Sequence, residues 1–553
     1  MTGAVDAHTL KSWLSDGAEI ALVDVREAGQ FGEAHPFFAV PLPYSRFGPW
    51  LWRLVPNPSV RLVLCDDGDG VAERAAERAQ VLGYRNIYIL RGGAPAWGKA
   101  GYTLYAGVNV PSKTFGELVE HQRHTPHISA LNLQAMREAG TDMVIVDGRT
   151  YAEYQRMSIP GGISCPNGEL ALRIHDIAPD PKTTIVVNCA GRTRSIIGAQ
   201  TLIDFGVRNP IVALENGTQG WFLAGLELEH GASRRSPDGA PPRDRTALAA
   251  RARALAQRYG VGFVTAAQAD EWWHDRTRTT YFFDIRVEGE WQLAPDWAYF
   301  FQTRLEGEWP LLPGFVHAPG GQLIQATDQW VGVKGARLVL GDEELVRAPV
   351  VASWLRQLGH EAYVLEGGLP KVTPVPAQPA SDLISRLDLK APVGAPEAPI
   401  VSPRELADAL SAGTAQVIDV RPSMTYRKGH IPQAIWSIRP RITTVADRRK
   451  DVVIVDDHVM VGGLAWLELF DAGFPHEKLV RLAGGFDGWR AAGLPVEATP
   501  DVPPDRDCID FLFFTARRHD NDPEAARQYL AWETGLLAQL DEQERGVFRI
   551  PGT

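Results

Sequence analysis

One stretch of this 553-residue chain carries residue types suited to sulfur or anion chemistry. It reads Cys189-Ala190-Gly191-Arg192-Thr193-Arg194-Ser195. An apolar strand end, Val186-Val187-Asn188, precedes it, and a helix-compatible run, Ile196 to Leu202, follows. A cysteine at a strand end, a glycine-containing turn and a helix start make a cradle. Successive backbone N–H groups can converge there on the sulfur, and the helix N-terminus adds partial positive charge. Arg192 and Arg194 bring two more positive charges. All three effects lower a thiol pKa and favour the thiolate, which is the nucleophile. The same cradle would hold an anion such as a sulfur oxyanion. A lone cysteine is more often a small buried hydrophobe, but that role requires neither a glycine turn nor two arginines beside it.

The elements that must position this loop occur four times. An apolar run ending in Asp and Arg two apart appears as Leu22-Val23-Asp24-Val25-Arg26, Ile145-Val146-Asp147-Gly148-Arg149, Phe282-Phe283-Asp284-Ile285-Arg286 and Val417-Ile418-Asp419-Val420-Arg421. The aspartates lie 123, 137 and 135 residues apart, a domain-sized period well above that of solenoid repeats. A second apolar run follows each, ending at Cys65, Cys189, Gly341 and Asp456, and then a helical stretch. A third strand closes on glycine at Gly92-Gly93, Asn216-Gly217, Gly367-Gly368 and Gly484-Gly485. Trp97, Trp221 and Trp489 stand four residues after the last glycine; the third copy has Val372 there.

Continuous apolar strands alternating with helices predict buried, mostly parallel sheets covered by helices on both faces. Ligands of such folds sit at the carboxyl ends of the strands, where Cys189 falls. The expected organisation is four α/β domains, at 1–108, 109–235, 246–375 and 398–500, with a helical C-terminal extension at 501–553. Gly231–Arg245 and Val372–Ile400 read as linkers. In the extension, Tyr529, Leu530, Trp532, Leu536, Leu537 and Leu540 form an apolar stripe. It is expected to pack on the fourth domain or, alternatively, to make a homodimer contact.

Composition narrows the function classes. The chain is 45% hydrophobic and 22% charged, which excludes a largely disordered protein. A net charge of -11 argues against general nucleic-acid binding. No apolar run approaches the ~20 residues of a membrane helix, and no secretory signal is read at the N-terminus. The expectation is therefore a cytoplasmic protein with neither membrane nor nucleic-acid partners. The four cysteines, Cys65, Cys165, Cys189 and Cys508, show neither CxxC pairing nor clustering with histidine. His121, His124 and His127 have no companion ligand type, so no metal and no cofactor is expected.

The Asp-x-Arg strand, the Cys189–Ser195 loop and the closing Gly…Trp element resemble the rhodanese (sulfurtransferase) family. The resemblance covers nearly the whole chain, as four rhodanese-like modules in tandem. It implies transfer of a sulfane sulfur from a donor through a cysteine persulfide to a thiophilic acceptor such as cyanide or a thiol. Cys189 would be the nucleophile. The amides from Ala190 to Ser195, including those of Gly191 and Thr193, would stabilise the persulfide, and Arg192 and Arg194 would bind the donor anion. Two arginines favour a compact donor, thiosulfate first. The family's Gly-His-Ile-Pro stretch survives as Gly429-His430-Ile431-Pro432, is altered to Met157-Ser158-Ile159-Pro160 in the second copy, and is Leu312-Pro313-Gly314 in the third.

The other copies read as inactive. Cys65 precedes Asp66, Asp67 and Asp69, which would raise a thiol pKa and repel an anion. The third loop, Gly341-Asp342-Glu343-Glu344, has no thiol, and Asp456 of the fourth cannot carry a sulfur. Cys165 and Cys508 read as structural. So do Asp147 and Arg149, because their counterparts recur in copies without a thiol. Two alternatives stand beside sulfur transfer. One is a cysteine phosphatase or arsenate reductase, although its Cys-x5-Arg loop would need arginine at Ser195. The other is a non-enzymatic scaffold or redox sensor.

Overall fold

The structure, a computed structural model, describes residues 2–236, 244–287, 315–369, 399–519 and 522–551. Leu312, Pro313, Gly314, Val372 and large parts of both linkers lie outside them. The described residues form four five-stranded sheets, parallel throughout. Counting strands within each module, the order is 1-5-4-2-3 in all four. The second and fourth strands lie side by side; in module two they are Met143–Asp147 and Thr184–Asn188. They are central because both their faces are apolar: Ile20–Asp24 and Arg337–Gly341 are buried along their whole length.

Each Asp-x-Arg is a buried bidentate ion pair at the end of the second strand. Arg149 donates Nε to Asp147 Oδ1 at 2.9 Å and Nη2 to Oδ2 at 2.7 Å. Asp24–Arg26, Asp284–Arg286 and Asp419–Arg421 repeat this geometry. The arginine also donates to a carbonyl eight residues on, Ala34 O, Met157 O or Gly429 O, and so ties the following helix to the sheet. Trp97, Trp221 and Trp489 are buried, each donating Nε1 to the carbonyl six residues later.

The modules do not hang as separate beads. One contiguous apolar core runs through the first three, joining Leu64, Ile197 and Leu340. Trp354 of module three donates to Thr201 Oγ1 of module two at 2.8 Å, and Arg347 donates to Glu169 at 3.0 Å. Tyr281 of module three donates to Leu54 O of module one at 2.6 Å. Module four docks on module one: Arg439 donates to Phe47 O at 2.7 Å, and Tyr44 donates to Glu468 Oε2 at 2.9 Å.

The C-terminal extension departs from expectation. It leaves module four and passes over module one, where Gly29 donates to Ile509 O at 2.8 Å. Its helix Pro523–Gly535 then reaches modules one and two. Leu536 and Leu540 pack with Phe37, Tyr105, Val110 and Leu118. Trp532 Nε1 donates to Ala106 O at 3.0 Å. The apolar stripe thus packs on modules one and two rather than on module four. Gly107 lets it seat, since a Cβ there would lie 2.1 Å from the Trp532 ring.

Candidate functional site

The strand Thr184–Asn188 delivers Cys189 to the carboxyl edge of its sheet, and the helix Thr193–Asp204 departs from there. The loop's carbonyls are tied behind it: Thr218 N–H donates to Cys189 O at 2.8 Å and Gln219 N–H to Ala190 O at 3.1 Å. Its amides are left over. The first backbone bond of the helix is Ile196 N–H to Arg192 O at 3.2 Å, and among the described residues the N–H groups of 190–195 meet no acceptor. That is the anion-receiving arrangement of a helix start. Ser195 Oγ donates to Cys189 Sγ at 2.9 Å, and the sulfur is buried, with Cys189 2% exposed.

Both arginines are held by carboxylates that the sequence pattern does not place beside them. Arg192 turns away to a carboxylate clamp, donating Nε to Glu117 Oε1 at 2.7 Å, Nη2 to Glu117 Oε2 at 2.9 Å, and Nη2 to Glu120. Arg194 makes a two-pronged pair with Glu153 at 2.8 and 2.7 Å. Burial pushes the Glu153 carboxyl up, but Arg194, Arg149 and the Thr150 hydroxyl outweigh it and hold the group well below the usual carboxylate range. Both guanidinium charges are therefore already matched by acids that lie outside the loop in sequence. The free backbone amides are what remains to receive an anion.

Superposing the repeats by their hydrogen bonds corrects their register. In module two the N–H after the closing pair Asn216-Gly217, that of Thr218, donates to Cys189 O. The same bond goes to Asp66 O in module one (from Ala94, 2.8 Å) and to Asp342 O in module three (from Leu369, 2.8 Å). A Cβ on Gly93, Gly217, Gly368 or Gly485 would strike the carbonyl oxygen of Asp66, Cys189, Asp342 or Asp456 at 2.1 to 2.6 Å. These four residues are equivalent, so an aspartate stands in the place of Cys189 in every other module. Cys65 and Gly341 sit one residue earlier, opposite Asp24 and Asp284, where module two has Asn188. A one-residue offset in a strand reverses the side chain's face. Cys65 accordingly points into the core with Leu22, Val63 and Trp97. Burial, with Asp24, Asp66 and Asp67, pushes its thiol far above the ordinary range.

In two modules the aspartate also fills the cradle. Asp66 accepts from Gly68 N–H at 2.8 Å and Ala72 N–H at 3.0 Å. Asp342 Oδ2 accepts from Val346 and Arg347 N–H at 3.1 and 3.0 Å. Asp456 instead faces Arg481 at 3.3 Å, on the edge of a cleft of about 780 Å³. Burial likewise pushes up the Cys165 and Cys508 thiols.

Two further elements wall the Cys189 loop, and neither carries a recognisable motif. The helix Val110–Arg123 presents Lys113, Gly116 and Glu117 along one face; a Cβ on Gly116 would lie 2.7 Å from Thr193 Cγ2. The C-terminal helix supplies Tyr529 and Glu533, which touch Lys113, Thr193 and the space above Gly191.

Fold, ion pair and cradle together place the chain in a known class: it belongs to the rhodanese-like domain family, whose model matches residues 6–100, 129–224 and 402–492. The third sheet shares the strand order of the matched modules. Over almost its whole length the chain is similar to a solved thiosulfate sulfurtransferase from Pseudomonas aeruginosa: 40% identity, 99% of each chain covered, TM-score 0.83. A rhodanese-like domain from Anabaena sp. is 26% identical over 19% of this chain and 84% of its own, with TM-score 0.17. An HTH-type transcriptional regulator of Mycobacterium tuberculosis is 34% identical over 105 residues, 19% of this chain; the match spans 45% of the regulator's length. No helix among the described residues is long and apolar enough to cross a membrane.

Proposed function

We propose that this protein is a thiosulfate sulfurtransferase and that the transferred sulfur is carried by Cys189. The observation that carries this reading is the contrast among the four loops. Only the Cys189 loop combines a thiol at the strand end with amides unclaimed by an internal carboxylate. The likeness over 99% of the chain to a thiosulfate sulfurtransferase supports the same donor.

The chemistry follows from the site. The Cys189 thiolate attacks the outer sulfur of thiosulfate. A new S–S bond forms, the S–S bond of the donor breaks, and sulfite leaves with that electron pair. The terminal persulfide sulfur sits among the amides of 190–195, which balance its negative charge without moving. Ser195 supplies a hydrogen bond at Sγ. An acceptor, cyanide or a thiolate, then attacks the terminal sulfur, and the electron pair of the persulfide bond returns to Cys189. Arg192 and Arg194 set the loop's shape through Glu117 and Glu153, and the amides do most of the anion binding.

The four cysteines are free and buried, which suits a reducing, cytoplasmic setting. The test is mass spectrometry of the full chain after incubation with thiosulfate. One added sulfur atom is expected, on the peptide containing Cys189 and on no other.

A further inference from the structure

We propose that Glu533, on the C-terminal helix, is a positioning residue of the sulfur-transfer site: it holds the start of the cradle helix through Thr193 and walls the loop at Gly191. This rests on the reading of Cys189 as the sulfur carrier and adds that the site is completed by a segment outside all four modules.

The contact joins residues 340 apart in sequence. Thr193 Oγ1 donates to Glu533 Oε1 at 2.7 Å, and Lys113 Nζ donates to the same oxygen at 3.2 Å. Thr193 is the first residue of the cradle helix, and its own N–H belongs to the cradle. Fixing its side chain therefore fixes the direction of the amides on either side. Glu533 Oε2 is buried without a hydrogen-bond partner, on the Gly191 side. A Cβ on Gly191 would lie 3.0 Å from that oxygen and 3.3 Å from Tyr529 Cε1. The loop is thus confined from outside at its glycine, the residue with most freedom to move.

The arrangement is costly unless it serves the loop. Glu533 is 1% exposed, and a buried carboxylate with one unpartnered oxygen is unfavourable on its own. Lys113 compensates it and also donates to Tyr529 OH, which anchors the helix by a second point. Burial alone would push Glu533 up, yet Lys113 and Thr193 hold it below the usual carboxylate range. Lys113 stands one helical turn before Glu117, which clamps Arg192. One face of the helix Val110–Arg123 therefore holds the cradle from both flanks, directly at Arg192 and through Glu533 at Thr193. In modules one and four the loop side chains Asp66 and His458 accept from their own amides; in module three Asp342 does so too, while Arg347, the first residue of that helix, pairs with the outside carboxylate Glu169.

The test uses the full chain. Glu533→Ala should raise KM for thiosulfate and lower kcat/KM roughly tenfold to a hundredfold, the range for losing a charge-assisted hydrogen bond. Hydrogen exchange, measured without substrate, should quicken at residues 196–200 and stay unchanged at 72–76 of module one. Glu533→Gln keeps an acceptor for Thr193 and should recover most of the activity. If Glu533→Ala does not fold, Thr193→Val, which removes only the hydroxyl, decides the matter by the same two readouts. Wild-type KM together with wild-type exchange in the folded variant would overturn the inference. The reading of Cys189 is tested separately: Cys189→Ser with normal turnover would overturn that reading, whatever the exchange data show.

Discussion

Asp66 and Cys189 hold one and the same place in two copies of a fold: each carbonyl accepts an N–H at 2.8 Å from the residue after a left-handed closing pair. On the proposed reading of Cys189, the difference between an inactive and a reactive module is one side chain and what its loop amides do with it. In module one the amides bond the aspartate; in module two they are free. Cys65 lies a residue earlier and packs in the core. Cys65→Ser is therefore expected to keep close to wild-type thiosulfate:cyanide turnover, and Cys189→Ser to lose it. Alkylation of the native protein should label Cys189 long before Cys65; equal labelling would contradict the register.

Ser195 closes the loop on the sulfur, with its hydroxyl 2.9 Å from Sγ. A hydrogen bond to a charged group contributes about 1.5–3 kcal/mol. Ser195→Ala should lower kcat/KM by roughly tenfold to a hundredfold. Persulfide should still form, slowly, because the amides remain. A variant as fast as the wild type would remove Ser195 from the chemistry.

Arg194 and Glu153 make opposite predictions. Glu153 stays ionised far below neutral pH, so it cancels much of the charge that Arg194 would offer a dianion. Glu153→Gln should lower KM for thiosulfate, and Arg194→Ala should raise it. The double variant should fall short of the sum, because neighbouring residues in one network are not additive. If Glu153→Gln raised KM as Arg194→Ala does, the pair would be a structural clamp with no electrostatic part in donor binding.

The fourfold repeat, the parallel sheets and the Cys189 loop were legible because each rests on local pattern: apolar runs, glycine closures, a cysteine before a helix. The register of Cys65 was not. Strand ends align by backbone hydrogen bonds, and in module one a cysteine lies by coincidence where module two has Asn188. Nor could the pattern around Arg192 and Arg194 reveal Glu117 and Glu153, which reach the loop only through tertiary packing. The amphipathic stripe of the extension was plain, but its destination was not. An apolar face states that something covers it, and only the Tyr105–Gly107 turn, shaped to take Trp532, states what.

Module one also holds two titratable groups whose effects on stability oppose each other. His35 is buried, with Nδ1 bonded to Phe31 O at 2.8 Å, and burial lowers its pKa to about 3. The unfolded chain takes this proton first, so its contribution is present above about pH 6.5 and is lost as pH falls toward 3. Glu27 is raised by burial to about 7, so its contribution is present below about pH 4.5 and is lost as pH rises through 7. Between pH 4.5 and 6.5 the two should offset, each at up to ~1.4 kcal/mol per pH unit. Denaturation midpoints of His35→Gln should rise relative to wild type as pH falls across that window, and those of Glu27→Gln should fall. Parallel curves for all three proteins would show that neither group is linked to folding.

The shared core bears on whether a module can live alone. By size, residues 110–228 should suffice: a complete sheet, the cradle and Trp221 fall within ~120 residues. One face of that sheet does have its own cluster, with Leu133, Ile145, Val186 and Trp221. The other face does not. Phe115, Leu170, Ile197 and Leu202 belong to a core completed by Val351, Trp354 and Leu355 of module three. Exposing four such side chains costs about 1.5–3 kcal/mol each, comparable to the whole stability of a typical domain. The fragment also loses Glu533 and the Leu536 packing. It should therefore melt without a sharp transition, bind a hydrophobic dye and accept sulfur poorly. A fragment spanning 110–369 should regain cooperativity, yet still transfer slowly for want of the C-terminal helix. Sharp melting and wild-type sulfur uptake by 110–228 alone would show that the cradle needs neither neighbour.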